Sequence, residues 1–156
     1  MPQRYWLFKS EPDVFSIQDL KKSPKRTTLW EGVRNYQARN LLRDEVRAGD
    51  GVLFYHSRVE PMAVAGTAPV VRAGYPDPMQ FDPKAKYHDP KSTKENPRWY
   101  AVDIRFDREF VRPVTLKEMR EMPALARMVL LHRSRLSIQP VRAAEWKAIL
   151  KRGLGK

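Results

Sequence analysis

Strand-like segments in this chain do not alternate with helices in the order that a parallel sheet requires. That limits the fold more than any other feature. The opening run Arg4-Tyr5-Trp6-Leu7-Phe8-Lys9 ends at Glu11-Pro12 as a strand stopped by a loop. Val52 to Ser57 follows the tight turn Ala48-Gly49-Asp50-Gly51 and reads as a buried strand. Met62 to Ala73 is small and β-branched, with a bend or bulge expected at Gly66 or Pro69. From Arg98 to Asp107, Trp99, Ala101 and Asp103 alternate against Tyr100, Val102, Ile104 and Phe106, the best strand signal in the chain. Strands are therefore expected near residues 4–9, 51–57, 62–73 and 98–110.

Helices are expected between and after them. Ser16-Ile17-Gln18-Asp19 has capping-box spacing with Asp in place of Glu, opening a short helix to about Lys22. Asn35 to about Val46 reads as a helix with Asn35 as N-cap, Ala38, Leu41 and Leu42 on one side, and Arg39, Arg43 and Arg47 on another. Thr115-Leu116-Lys117-Glu118 opens a short helix, Pro123 opens another, and Arg142 to Arg152 closes the chain by burying Trp146, Ile149 and Leu150. Ser23 to Thr28 reads as a basic loop, and 74–97, with five prolines, as a long functional or mobile one. The pattern is α+β: a small, strongly bent sheet or barrel flanked by helices.

At 156 residues the expectation is one domain over 1–156. The formal charge is +12, of which +7 falls in residues 101–156. A folded basic domain points to a polyanionic partner, most often nucleic acid, with solubility as the blander use of the charge. With no cysteine in the chain, disulfides, thiolate metal sites and cysteine nucleophiles are excluded. The longest stretch without a formal charge is Pro61 to Val71, far short of a membrane span. No signal-peptide pattern is present, and a soluble cytoplasmic monomer is expected, or a nuclear one in a eukaryote.

Recognised reaction motifs are missing. His56, His88 and His132 lack metal-ligand spacing, the seven glycines form no phosphate loop, and His56 and Ser57 are neighbours that point to opposite faces of a strand. No metal or cofactor is expected. Aromatic residues do mix with polar ones at Phe8 to Pro12, Trp30 to Asn40 and Phe54 to Ser57. An aromatic wall with amide, hydroxyl and carboxyl partners suits one planar base. Trp6, Phe8, Trp99 and Trp146 read as core, whereas Trp30 and Tyr55 fit the core or a site equally well. Asn35 also fits as a cap alone and Arg39 as a solvated helix face. Glu11, Glu31 and Asp103 are the carboxylates placed near aromatics.

Seven blocks together resemble the EVE domain, the thymocyte nuclear protein 1 family. They are Tyr5 to Pro12, Trp30 to Asn40, Val52 to Ser57, Tyr75 to Pro78, Phe81 to Pro83, Asn96 to Tyr100 and Leu136 to Val141, in family order from about residue 4 to 150. Glu31 stands where an Asp is frequent in the family. The resemblance implies a PUA-like fold, a partly open β-barrel of mixed strands flanked by short helices, related to YTH and SRA-type base readers. It also implies a non-catalytic module that binds DNA or RNA through a modified base, 5-substituted cytosine in particular. Residues in the matching motifs become base-pocket candidates: Ser10, Glu11, Trp30, Val33, Asn35, Tyr36, Tyr55 and Ser57. Lys9, Arg34, Arg39 and Arg43 become candidates for holding phosphate. The blocks at Ser10, Trp30 and Tyr55 are expected to share one pocket. The alternatives are an enzyme acting on a base, nucleotide or RNA, with Glu11 or His56 as general acid or base, and a protein-interaction domain using the 74–97 loop.

Overall fold

The computed structural model describes residues 3–133 and 135–155. In chain order its strands are β1 (Tyr5–Ser10), β2 (Thr27–Trp30), β3 (Gly51–His56), β4 (Ala63–Thr67), β5 (Val70–Pro76), β6 (Tyr100–Arg105), β7 (Arg108–Thr115) and β8 (Ile138–Val141). The α-helices are α1 (Ile17–Lys22), α2 (Tyr36–Asp44), α3 (Leu116–Arg120), α4 (Val129–His132) and α5 (Ala143–Gly153). A five-stranded sheet runs β7-β4-β3-β1-β8 and a three-stranded sheet runs β2-β6-β5, and the two do not close into a barrel. All pairs are antiparallel except β1 with β3, which lie parallel from Tyr5↔Gly51 to Ser10↔His56.

One bent ribbon joins the two sheets. The chain leaves β4, turns at Ala68 and Pro69, and enters β5 in the other sheet; β6 returns to β7 through Phe106 and Asp107. Arg105 N–H donates to Pro69 O at 3.0 Å and Asp107 N–H to Thr67 O at 3.1 Å, so the corner stays paired. The register of β4 against β7 shifts between Val64 and Gly66. A Cβ on Gly66 would lie 2.1 Å from the Arg108 carbonyl oxygen, a backbone atom that cannot turn aside. Gly66→Ala should therefore part β4 from β7 and cost about 1–3 kcal/mol. A urea midpoint equal to wild type would show that the strands yield without loss.

Local signals place the helices. Ser16 Oγ accepts from Asp19 N–H at 3.1 Å while the Asp19 carboxylate accepts from Ser16 N–H at 2.8 Å, the box expected there. Asn35 Oδ1 accepts from Ala38 N–H at 3.0 Å and Thr115 Oγ1 from Glu118 N–H at 3.1 Å. The helix expected from Pro123 is split into a 3-10 turn at Pro123–Leu125 and the separate α4. In α5 Ile149 is fully buried, but Trp146 and Leu150 are only partly so, and Trp146 stacks on Tyr5 at 4.5 Å.

The period of two along the central strands sorts the core onto both faces of the large sheet. Trp6, Phe8, Phe54, Trp30 and Ile104 pack between the two sheets with α1 and α2. Leu7, Leu53, Tyr55, Met119, Leu125 and Ile149 pack on the other side beneath α3 to α5. Three strands escaped the sequence reading in whole or in part: β2, β8, and most of β7, because the single strand expected over 98–110 breaks at residues 106–107 and continues in the other sheet to Thr115. Part of β2 fell in the expected basic loop, and β8, four residues with a proline, has no alternation to show. The long loop begins only at Asp77, because β5 continues to Pro76. It is cross-linked within itself: the buried Gln80 side chain donates to Asp77 O and Trp99 O and accepts from the Arg98 and Trp99 amides, all within 3.0 Å.

Candidate functional site

The parallel pairing of β1 and β3 brings their C-terminal ends to one rim, where Ser57 N–H donates to Ser10 O at 2.9 Å. Ser10 and Ser57 meet there, as their blocks suggested. Segment 135–137 completes the rim, because Lys9 N–H donates to Ser137 O at 3.0 Å. Two clefts open on either side of this rim and share Lys9, Glu11 and Ser137.

The larger cleft, about 740 Å³, has Tyr55 and Ser57 on the β3 side. Met62, Leu116 and Leu130 give it apolar walls, and Arg58, Arg120 and Arg135 join Lys9 around it. Burial lowers the Lys9 pKa and pushes the Tyr55 phenol up to about 12, so this tyrosine stays neutral and can donate. Arg58 is held at φ +52, a left-handed conformation that a non-glycine residue adopts at a cost. The smaller cleft, about 360 Å³, is aromatic and mixed. Trp30, Phe15 and Val33 line it with Ser10, Glu31, Arg34 and Tyr87. The Ser10 hydroxyl is already used, donating to Phe15 O at 2.5 Å.

Trp30 and Tyr55 therefore do not share a cleft. Trp30 packs against Phe8 and Phe54 at ring distances of 5.4 and 5.5 Å on one face of the large sheet. Tyr55, one residue on from Phe54, points to the other face. Both are largely buried, so each serves the core and borders a cleft at the same time. Tyr36 lies elsewhere: it is 52% exposed and stacks on Trp99 at 4.9 Å. Asn35 caps α2 and borders a third, shallow depression with Gln37, Arg133 and Arg135.

The candidate phosphate ligands separate as well. Only Lys9 sits at the shared rim. Arg34 makes four internal hydrogen bonds, to Val33 O, to Asp77 and twice to Tyr87 O, leaving one of its five N–H donors. Its guanidinium also lies over the Trp99 ring at 5.3 Å, so it works as a clamp for the long loop. Arg39 donates to Arg98 O at 2.7 Å and lies over Tyr36, and Arg43 pairs with Asp44. Arg39 thus lies on the Tyr36–Trp99 stack and Arg43 over the Tyr100 ring at 6.0 Å, and neither borders the two clefts at the rim. Sequence reasoning missed Arg58, Arg120, Arg135 and Ser137. The traces of the last three were the C-terminal charge excess and the block from Leu136 to Val141, and Arg58 had none beyond following the block that ends at Ser57.

His56 faces yet another depression, lined by Val59, Glu109 and Val111, so it does not share a cleft with Glu11. Its Nε2 accepts from Ile17 N–H at 3.1 Å, a bond only the unprotonated nitrogen can make. Burial lowers its pKa, against weaker opposing pulls from Asp19 and Glu109. Stability from this bond should be complete above the ordinary histidine pKa and lost as pH falls through the lowered folded value. The urea midpoint of the wild type should drop below pH 6.5, and that drop should shrink in His56→Gln; parallel pH profiles would exclude the link.

Among the described residues, no helix is long and apolar enough to cross a membrane, and no group of three acidic or histidine side chains could hold a metal ion. The site thus sits on an α+β frame of two open sheets, with a cationic and an aromatic cleft adjoining at one strand rim. The EVE domain family model matches residues 4–152, and the chain belongs to that family. Human thymocyte nuclear protein 1 is 41% identical over 94% of this chain and 72% of its own length. The crystal structure of human THYN1 in complex with 5-methylcytosine-containing DNA superposes with a TM-score of 0.92 at 40% identity, covering 97% of this chain and 98% of that one. A hypothetical protein from Leishmania major gives 0.91 at 45% identity, covering 97% and 95%. ZmASCH from Zymomonas mobilis shares the fold alone, at 0.56 and 11% identity.

Proposed function

We propose that the chain is a non-catalytic EVE module, acting as one unit over residues 1–156 and as a monomer, that binds nucleic acid and reads a modified base, 5-substituted cytosine in particular. The observation that carries this reading is the pair of clefts at the β1–β3 rim, one cationic and one aromatic. A flexible single strand can lay its phosphates along Lys9, Arg58, Arg120 and Arg135 and turn one base over the rim toward Trp30 and Val33. The human relative solved with 5-methylcytosine DNA supports the same ligand class. The enzyme reading, with Glu11 or His56 as general acid or base, has each of them working without the other, since they open into different clefts.

Titration with matched single-stranded oligonucleotides carrying one 5-methylcytosine or one cytosine tests the reading. A methyl group in an apolar niche is worth about 1–3 kcal/mol, so the preference should be about tenfold. Equal affinity for the two would overturn base reading. Affinity should also fall steeply with salt, by about 0.7 log units per log unit of salt for each phosphate held. Arg120→Ala with Arg135→Ala should lower that slope by about 0.7 for each residue. The Arg39→Ala, Arg43→Ala pair asks the same of α2, and a slope unchanged by the pair would remove α2 from the interface.

A further inference from the structure

Thymine carries the same 5-methyl group as 5-methylcytosine, so an apolar niche that admits one admits the other. The two bases differ on one edge: at ring position 4 cytosine presents an N–H donor and thymine a carbonyl acceptor, and at N3 cytosine accepts where thymine donates. A hydrogen-bond acceptor that faces position 4 is the simplest device by which a reader of 5-substituted cytosine can turn thymine away.

The aromatic cleft offers two carboxylates, Glu11 and Glu31. Glu11 stands on the shared rim and leans toward the cationic cleft, 3.8 Å from the Arg58 guanidinium. Glu31 follows Trp30 directly and makes no hydrogen bond and no ion pair to any described residue. Its neighbours in the cleft are already engaged: Ser10 donates to Phe15 O, and Arg34 to Asp77, Val33 and Tyr87. The backbone that carries Glu31 is pinned on its far side. Gly32 N–H donates to Asp77 at 2.9 Å, and Gly32 sits at φ +79 with the Tyr87 ring where a Cβ would be. Partial burial first, and then the Asp77 charge, raise the Glu31 pKa, against an opposing pull from the Arg34 guanidinium.

We infer that Glu31 is the specificity determinant that separates cytosine from thymine in this cleft. Its carboxylate accepts the exocyclic N–H of cytosine and meets the thymine carbonyl as a second, opposing acceptor. Acidic side chains accepting from this amine are a general pairing, worth about 1–3 kcal/mol of discrimination. The inference rests on the base-reading function proposed above.

The test uses the full chain and three single strands that differ at one position: 5-methylcytosine, cytosine or thymine. Wild type should prefer 5-methylcytosine over thymine by about 10- to 100-fold. In Glu31→Gln the amide can turn to offer either a donor or an acceptor, so this ratio should fall to about threefold or less while the ratio of 5-methylcytosine to cytosine holds. Glu31→Asp should keep most of the discrimination, and both variants should melt with wild type because the side chain is only partly buried and no hydrogen bond or ion pair to a described residue is lost. Three results would overturn the inference: wild type binding thymine as well as 5-methylcytosine, Glu31→Gln keeping the wild-type ratio or weakening all three strands equally, or Glu11→Gln losing the discrimination in its place. Equal binding of 5-methylcytosine and cytosine with thymine still rejected would overturn the modified-base reading and leave the role of Glu31 standing.

Discussion

Replacing Trp30 by alanine should lower folding stability by about 3–5 kcal/mol, the range for a large aromatic deleted from a core. The indole is 9% exposed and sits between Phe8 and Phe54, tilted on the first and edge-on to the second. Those contacts join β2 to the large sheet, so the loss falls on the interface between the two sheets. Base binding should weaken too, because a stacking surface is worth about 1–3 kcal/mol per base. The two effects are separable. Trp30→Phe keeps an aromatic wall and most of the packing, so it should recover much of the stability and part of the affinity. Urea denaturation reads the first quantity and oligonucleotide titration the second. A Trp30→Ala chain within about 1 kcal/mol of wild type would mean that the core repacks around the hole.

Asp77→Ala should be comparably damaging, at about 3–5 kcal/mol, because it strands a partly buried cation. The Asp77 side chain is fully buried, 3.0 Å from Arg34 Nη1, and it accepts from the Gly32 and Met79 amides at 2.9 and 2.8 Å. Its removal takes the counter-charge from the guanidinium and leaves one of its N–H groups and two backbone N–H groups without their acceptor. Because these bonds tie β2 to the long loop, protease should cut first within residues 82–97. Asp77→Asn retains an acceptor and should cost less. An alanine variant with wild-type stability and an uncut loop would show that Gln80 and Trp99 hold the loop unaided.

What could be read in the chain divides by distance along it. The caps at Ser16, Asn35 and Thr115 are bonds between residues three apart, so their spelling suffices. The β6 strand shows itself because its apolar and polar residues alternate at the end, Val102 and Ile104 being fully buried and Asp103 and Arg105 not. By contrast β8 carries Pro140 and only four residues, and it exists because Tyr5 and Phe8 lie opposite Val141 and Ile138. The site follows the same division. Ser10 and Ser57 could be placed together from two strand ends. The separation of Trp30 from Tyr55 depends on which face of β3 meets which layer, and that is decided by helices far away in sequence. Arg120 and Arg135 come from a helix end and a turn with no motif of their own, and only folding sets them beside Lys9.

The position of β1 bears on how the protein is made. Its neighbours in the sheet are β3 on one side and β8 on the other. On the ribosome β1 emerges first, and its first partner follows some forty residues later. Its second partner is not complete until Val141. At synthesis rates of about 5–20 residues per second, that edge stays open for on the order of ten seconds. During that interval the row Trp6-Leu7-Phe8 presents an unpaired backbone to any other nascent strand. Pro12 and the charges at Lys9, Glu11 and Asp13, just downstream, then act as gatekeepers, keeping the newborn chain from zipping onto a neighbour before its own C-terminal strand arrives.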